Sequence, residues 1–267
     1  MRWWKPWTAW VAVAGGGALL LVARALVRPG GDDRSWVVAA LIVLNLATVG
    51  VVLVCAAVQR RPSAADFGLV ATSVRRAVAG VLATAVAVLV VSIAADILLG
   101  GPEDPVDVTD RLATDSSALQ GVLVVLLVAV ATPLAEELLF RGYVFRALVP
   151  WRGPVVAAVL SAGVFTLFHL DWSPSAAFPS IALFGLLTCW LYLRTGSLYP
   201  SLAVHALLNS ASMATAFDSA AATSAAVVVC VALTLALARL LAVALGVPGP
   251  ARRPQPAKVV ANRSTIS

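Results

Sequence analysis

Eight stretches of the chain carry no charged residue, and they constrain its fold more than any other feature. They cover 7–23, 36–58, 77–95, 116–135, 153–168, 172–193, 195–217 and 219–238. A helix that crosses a bilayer needs about 20 apolar residues, within a range of about 17–25. The fifth stretch is short unless it reaches His169. The stretches are continuous rather than alternating, which excludes a β-barrel. The expected fold is all-α: a polytopic membrane helix bundle of about eight transmembrane helices. Composition agrees, with 61% hydrophobic and 12% charged residues and a mean hydropathy of +0.95. A soluble domain has about 45–50% and about 25%. An ordinary soluble enzyme, a disordered chain and a disulfide-stapled module are excluded. Cys55, Cys189 and Cys230 sit inside apolar runs, so no disulfide framework is expected.

Eight crossings put both termini on one face. With that face cytoplasmic, Arg2, Lys5, Arg60, Arg61, Arg75, Arg76, Arg141, Arg146, Arg152, Arg194, Arg239, Arg252, Arg253, Lys258 and Arg263 fall on or near it. Arg24, Arg28, Arg34 and Arg111 fall on the other. The 15-to-4 split of the 19 basic residues follows the positive-inside rule. A multi-pass cell-membrane protein with cytoplasmic termini is therefore expected. Ala23-Arg24-Ala25 has the small-residue pattern of a signal-peptide cleavage site, but seven further runs favour an uncleaved first span. The net charge of +6 comes without a basic and aromatic stripe, so nucleic acid is not an expected partner. The lipid bilayer is, and the basic tail from Gly246 can touch anionic lipid.

Charged groups at the bilayer centre cost about 2.5–3.5 kcal/mol each on insertion scales. Even so, Glu136 and Glu137 close the fourth apolar run, in A-T-P-L-A-E-E-L-L-F-R. On a helix Glu137 and Arg141 are one turn apart and can pair, with Glu on the favourable N-terminal side. Glu136 points about 100° away and is left out of that pair. Taken alone, the pair could equally mark the point where the span leaves the membrane. Pro133 lacks an N–H and deprives the Ala129 carbonyl of its helical partner. Thr132-Pro133 reads either as a kink or as the start of a new helix.

The only two histidines lie in apolar surroundings, in Phe165-x-x-x-His169 and His205-x-x-x-Asn209. Each pair shares a helix face. A lone membrane histidine is commonly a satisfied interhelical hydrogen bond, and Asn209 has the same bland reading. The runs around Glu136 and His169 form an antiparallel hairpin through Pro150-Trp151-Arg152-Gly153-Pro154. Both residues lie equally far from its midpoint, about 25 Å along straight helices, and so at one level.

Glu136-Glu137 with Arg141, then Phe165 with His169, then His205 with Asn209, in that order inside apolar helices, resembles the CPBP family. These are the CAAX prenyl endopeptidase-like, or Abi, intramembrane proteases. The resemblance covers roughly 121–216. It implies a catalytic core over 119–217; hydropathy alone assigns N-terminal transmembrane helices and an acidic outer loop to 1–118. The last helix and a cytoplasmic tail occupy 218–267. It also implies an intramembrane endopeptidase acting on a membrane-associated or lipidated peptide or protein.

The residues suit that chemistry. Glu136 with His169 would activate water, and His205 with Asn209 would face the oxyanion, since both can donate hydrogen bonds. Glu137, Arg141 and Phe165 would support the site. Glu136, His169 and His205 are also the candidate ligands of a zinc ion with one open position, the reading behind the family's metalloprotease label. Water activation by Glu136 needs no ion, so both readings stand. Two other functions compete: a scaffold or self-immunity protein that binds a membrane partner, and a transporter. No inverted repeat supports the transporter.

Overall fold

The computed structural model describes residues 4–26, 35–100, 118–170, 175–213 and 219–246. Among them there is no strand. The helices are α1 (Pro6–Leu26), α2 (Ser35–Ala57), α3 (Val74–Leu99), α4 (Ala118–Leu126), α5 (Thr132–Glu137), α6 (Arg146–Leu167), α7 (Phe178–Thr195), α8 (Tyr199–Ser212) and α9 (Ala220–Ala244). A 3-10 turn, Ala64–Phe67, lies between α2 and α3. Two π-helical segments, Leu127–Ala131 and Leu138–Phe145, join α4 to α5 and α5 to α6. The all-α membrane architecture expected from hydropathy is present.

Among the described residues five helical stretches are long and apolar enough to cross a membrane, so the expected count of eight is not confirmed. One of the five, Leu119–Leu167, reverses direction inside its length. Gly153 has φ 79° and ψ 169°, a conformation essentially confined to glycine. Pro150 and Pro154 flank it. The chain folds back there, and Ser161 donates to the Phe140 carbonyl across the hairpin at 3.2 Å. Among the described residues of the run over 195–217, those after Gly196 contribute the 14-residue α8. The run's first residues form a turn after Gly196, which ends α7 at φ 65°. At 1.5 Å per residue α8 is about 21 Å long, too short to cross alone.

Burial divides the helices by role. α3 shows lipid-type side chains along its length, with Leu82, Val86, Leu89, Ile93 and Ile97 all more than half exposed. Leu119–Leu167 is the most buried of the membrane-spanning stretches and forms the bundle's centre. Close contacts use small residues, because lipid tails offer no hydrophobic drive for helix pairing. At Gly185 an added Cβ would meet the Ala162 Cβ at 2.8 Å, so α6 and α7 touch backbone to backbone. The three cysteines are buried and free.

One end of the bundle is tied together by polar contacts. The Lys5 N–H donates to Gln59 Oε1 at 2.8 Å, and Ser197 Oγ donates to the Val70 carbonyl at 2.7 Å. The Leu198 N–H donates to the Gly68 carbonyl at 2.8 Å, and Arg146 Nη1 to the Ala65 carbonyl at 3.1 Å. These bonds place the start of α1, the end of α2, the start of α3 and the end of α7 at the same end.

Candidate active site

Glu136 and Glu137 lie on α5, a six-residue α-helical turn between the two π-helical segments. The chain passes through Thr132-Pro133 without leaving helical geometry: Ala131 has φ −72° and ψ −44°, and Thr132 has φ −62° and ψ −49°. No new helix starts there. Instead the register widens. The Thr132 N–H donates to the Leu127 carbonyl, five residues back. In that register the missing N–H of Pro133 is the one owed to the Val128 carbonyl. Asn209 Nδ2 supplies it from α8, at 2.9 Å. The Ala129 carbonyl, the orphan expected in a regular α-helix, accepts from Thr234 Oγ1 of α9 at 3.4 Å.

Glu137 and Arg141 pair as their spacing predicts. Arg141 Nη1 lies 2.8 Å from Glu137 Oε1, and neither side chain has any exposure. The pair lies inside the bundle rather than on its surface. The guanidinium sits 4.6 Å from the Phe165 ring centre and 5.4 Å from that of Phe184. Ring faces stabilise a buried cation electrostatically. Arg141 Nη2 also donates to the Gly185 carbonyl, at the place where α6 and α7 touch.

His205 stands between the two carboxylates. Its Nδ1 is 2.9 Å from Glu137 Oε1 and its Nε2 is 3.6 Å from Glu136 Oε2. A carboxylate only accepts, so Nδ1 carries the proton toward Glu137. His169 Nδ1 lies 2.8 Å from the Phe165 carbonyl, which likewise can only accept. In neutral His169 that leaves Nε2 as an acceptor. The Phe165 and His169 rings meet in a tilted contact at 4.5 Å between centres.

Glu136, His169 and Asn209 line one cavity of about 290 Å³. His205 is buried beside it rather than on its wall. The structure thus brings all seven sequence-predicted residues into one neighbourhood. Glu136 Oε2 is buried and makes no hydrogen bond within the protein. Among the described residues, no group of three or more His, Cys, Asp or Glu comes together to hold a metal ion. His205 Nδ1 faces Glu137, which leaves Nε2 as the ring nitrogen turned toward Glu136.

Sequence reasoning missed the far wall. Gly16 and Leu20 of α1, and Leu41, Asn45 and Thr48 of α2, line the same cavity. Asn45 Nδ2 donates to the Leu41 carbonyl at 2.9 Å and to Thr132 Oγ1 at 3.2 Å, clamping α2 to α5. An uncharged polar residue in the middle of the second apolar run was the signal available.

Residues 118–211 match a family model described as type II CAAX prenyl endopeptidase Rce1-like. This segment is similar to that family. The match agrees with the family resemblance carried by the three motifs. The Rce1-like segment begins with α4, ends within α8 and contains all seven motif residues. It spans about a third of the chain, so the cavity wall from α1 and α2 lies outside it. No curated protein and no solved structure matches the chain significantly.

Proposed function

We propose that the protein is an intramembrane endopeptidase that hydrolyses a peptide bond in a membrane-associated substrate. The observation that carries this reading is the cavity inside an apolar bundle, where Glu136 presents a carboxylate oxygen that accepts no hydrogen bond from the protein, beside His169 and Asn209 and 3.6 Å from His205 Nε2. An acceptor held this way suits a general base. Glu136, with His169 Nε2 accepting alongside it, takes a proton from water as the oxygen attacks the scissile carbonyl carbon. The C–N bond then breaks, and the proton passes to the leaving amine.

The developing oxyanion needs donors already in place. The second N–H of the Asn209 amide is one, since the first is spent on Val128. His205, whose Nε2 lies 3.6 Å from Glu136 Oε2, is the second, donating only when that nitrogen carries a proton. Glu137 holds the His205 ring through Nδ1, and Arg141 holds Glu137. These three side chains set the positions of the groups that act. No catalytic step in this reading passes through a metal.

Mass spectrometry of membrane-peptide fragments tests it, comparing cells that express wild type with cells that express Glu136→Ala. Fragments that depend on Glu136 support the reading. Identical fragment sets with equal protein levels overturn it.

A further inference from the structure

We propose that α2 forms a substrate-recognition wall, on which Asn45 and Thr48 bind the backbone of an unwound apolar peptide segment in the cavity. The inference rests on the endopeptidase reading and names the substrate class of that same site.

Both side chains line the cavity that holds Glu136 and His169. They are only 8% and 7% exposed, so they are polar groups inside the bundle rather than on its surface. Three residues apart on α2, they share a helix face. Both lie outside the segment that matches the family model, 118–211.

The Asn45 amide is half used. Nδ2 donates to the Leu41 carbonyl at 2.9 Å and to Thr132 Oγ1 at 3.2 Å. A backbone carbonyl only accepts, so the first bond also fixes which amide atom is the nitrogen. The clamp on α5 therefore accounts for Nδ2 alone. Oδ1 accepts no hydrogen bond from the described residues.

Thr48 is uncommitted as well. Thr166, Thr188 and Thr234 turn their hydroxyls back on the carbonyl four residues earlier, at 2.9, 2.7 and 2.8 Å. That bond satisfies a hydroxyl within its own helix. Thr48 makes none to Leu44, and none to any other described residue. The α2 face thus offers the cavity one acceptor and one hydroxyl that can donate. Polar groups kept in apolar surroundings cost free energy until they find partners.

The rest of the wall selects the partner. Leu20, Leu41 and Leu44 line the cavity with these two residues and match apolar side chains. A lipid chain would satisfy the leucines and leave Oδ1 without a donor. A peptide segment unwound for attack supplies what is missing, because its N–H and C=O groups have lost their helical partners where no water replaces them. One residue of an extended chain turns its N–H and C=O to the same side, as in an antiparallel ladder. Asn45 Oδ1 receives the N–H, and the Thr48 hydroxyl donates to the C=O.

The probe is a fluorescent heptapeptide of alternating leucine and alanine, blocked at both ends. In its analogues one backbone amide at a time is replaced by an ester, which keeps the shape and lacks the N–H. Binding is read by anisotropy in detergent, on full-length Glu136→Gln so that nothing is cleaved, with and without Asn45→Ala. One hydrogen bond typically shifts such an equilibrium about fivefold. One ester position should weaken binding by about that factor, and Asn45→Ala should abolish the difference. Thr48→Val, which breaks no bond within the protein, should weaken binding of the all-amide peptide about fivefold and leave the thermal midpoint unchanged. Where Asn45→Ala does not accumulate, Thr48→Val decides alone. Ester penalties that persist in Asn45→Ala, unchanged binding by Thr48→Val, or no binding of the peptide overturn the inference. Cleavage is read separately. Asn45-dependent binding without Glu136-dependent cleavage would keep the wall and reject the protease. Such cleavage without Asn45-dependent binding would do the reverse.

Discussion

Glu137 Oε1 holds Arg141 and His205 together, receiving Arg141 Nη1 at 2.8 Å and His205 Nδ1 at 2.9 Å. The carboxylate is out of contact with water and depends on both donors. Removing one partner of a buried pair leaves an uncompensated charge, at a cost of about 3–5 kcal/mol. Arg141→Ala should therefore lower folded yield and thermal stability in detergent as well as activity. Wild-type stability with activity abolished would move Arg141 into the chemistry.

The proposed mechanism gives Asn209 two jobs that can be separated. Asn209→Ala removes an oxyanion donor, which typically costs about 10²–10³ in kcat. It also leaves the Val128 carbonyl without its N–H. Pro133→Ala restores a backbone N–H at the position owed to that carbonyl. The double variant Pro133→Ala with Asn209→Ala should regain thermal stability relative to Asn209→Ala and gain no activity. Recovery of activity in the double variant would make Asn209 purely structural.

The pairing of Glu137 with Arg141 and the common level of Glu136 and His169 were legible, because spacing along a helix and distance from a turn fix both. The partner of His205 was not. Its spacing to Asn209 suggested a shared role, whereas the residue that receives its Nδ1 comes from another helix. Periodicity says nothing about which helices become neighbours. The widened register at Leu127–Ala131 was half legible: Pro133 announced a missing bond but not which carbonyl would lose it. The contribution of α1 and α2 was hidden, since glycine, leucine and a lone asparagine in an apolar run look like any membrane helix.

Gly185 tests the packing behind the site. Its added Cβ would fall 2.8 Å from the Ala162 Cβ and 3.0 Å from the Ala162 Cα. Helices α6 and α7 would have to separate, carrying Phe165 and Phe184 away from Arg141. Overpacking of this kind costs about 1–3 kcal/mol. Gly185→Ala should lower the thermal midpoint in detergent, and adding Ala162→Gly should recover part of the loss. An unchanged midpoint for Gly185→Ala would show that the contact gives way freely.

Asp66 links stability to pH at the end of the bundle tied by polar contacts. Burial alone would raise its carboxyl, but hydrogen bonds from the Ser63 N–H and hydroxyl and the pairing with Arg60 outweigh it and hold the group below its ordinary value. A group depressed in the folded state contributes stability above its unfolded pKa, about 3.9, and loses it as pH falls through the folded value. The thermal midpoint should drop on acidification below about pH 4. Asp66→Asn should lower the midpoint at neutral pH and flatten that dependence. A profile identical to wild type would show that the Arg60–Ser63–Asp66 cluster contributes nothing.

The most direct test of the central claim is cleavage of a quenched peptide by detergent-purified wild type and Glu136→Gln, each with and without chelator. Gln keeps the shape of the side chain and loses only the base. The account predicts turnover by wild type that survives chelator, and none by a folded Glu136→Gln variant. Full activity of Glu136→Gln would contradict the assignment of Glu136 as the base. Wild-type activity lost to chelator and restored by zinc would contradict a metal-free step and make Glu136, His169 and His205 ligands instead.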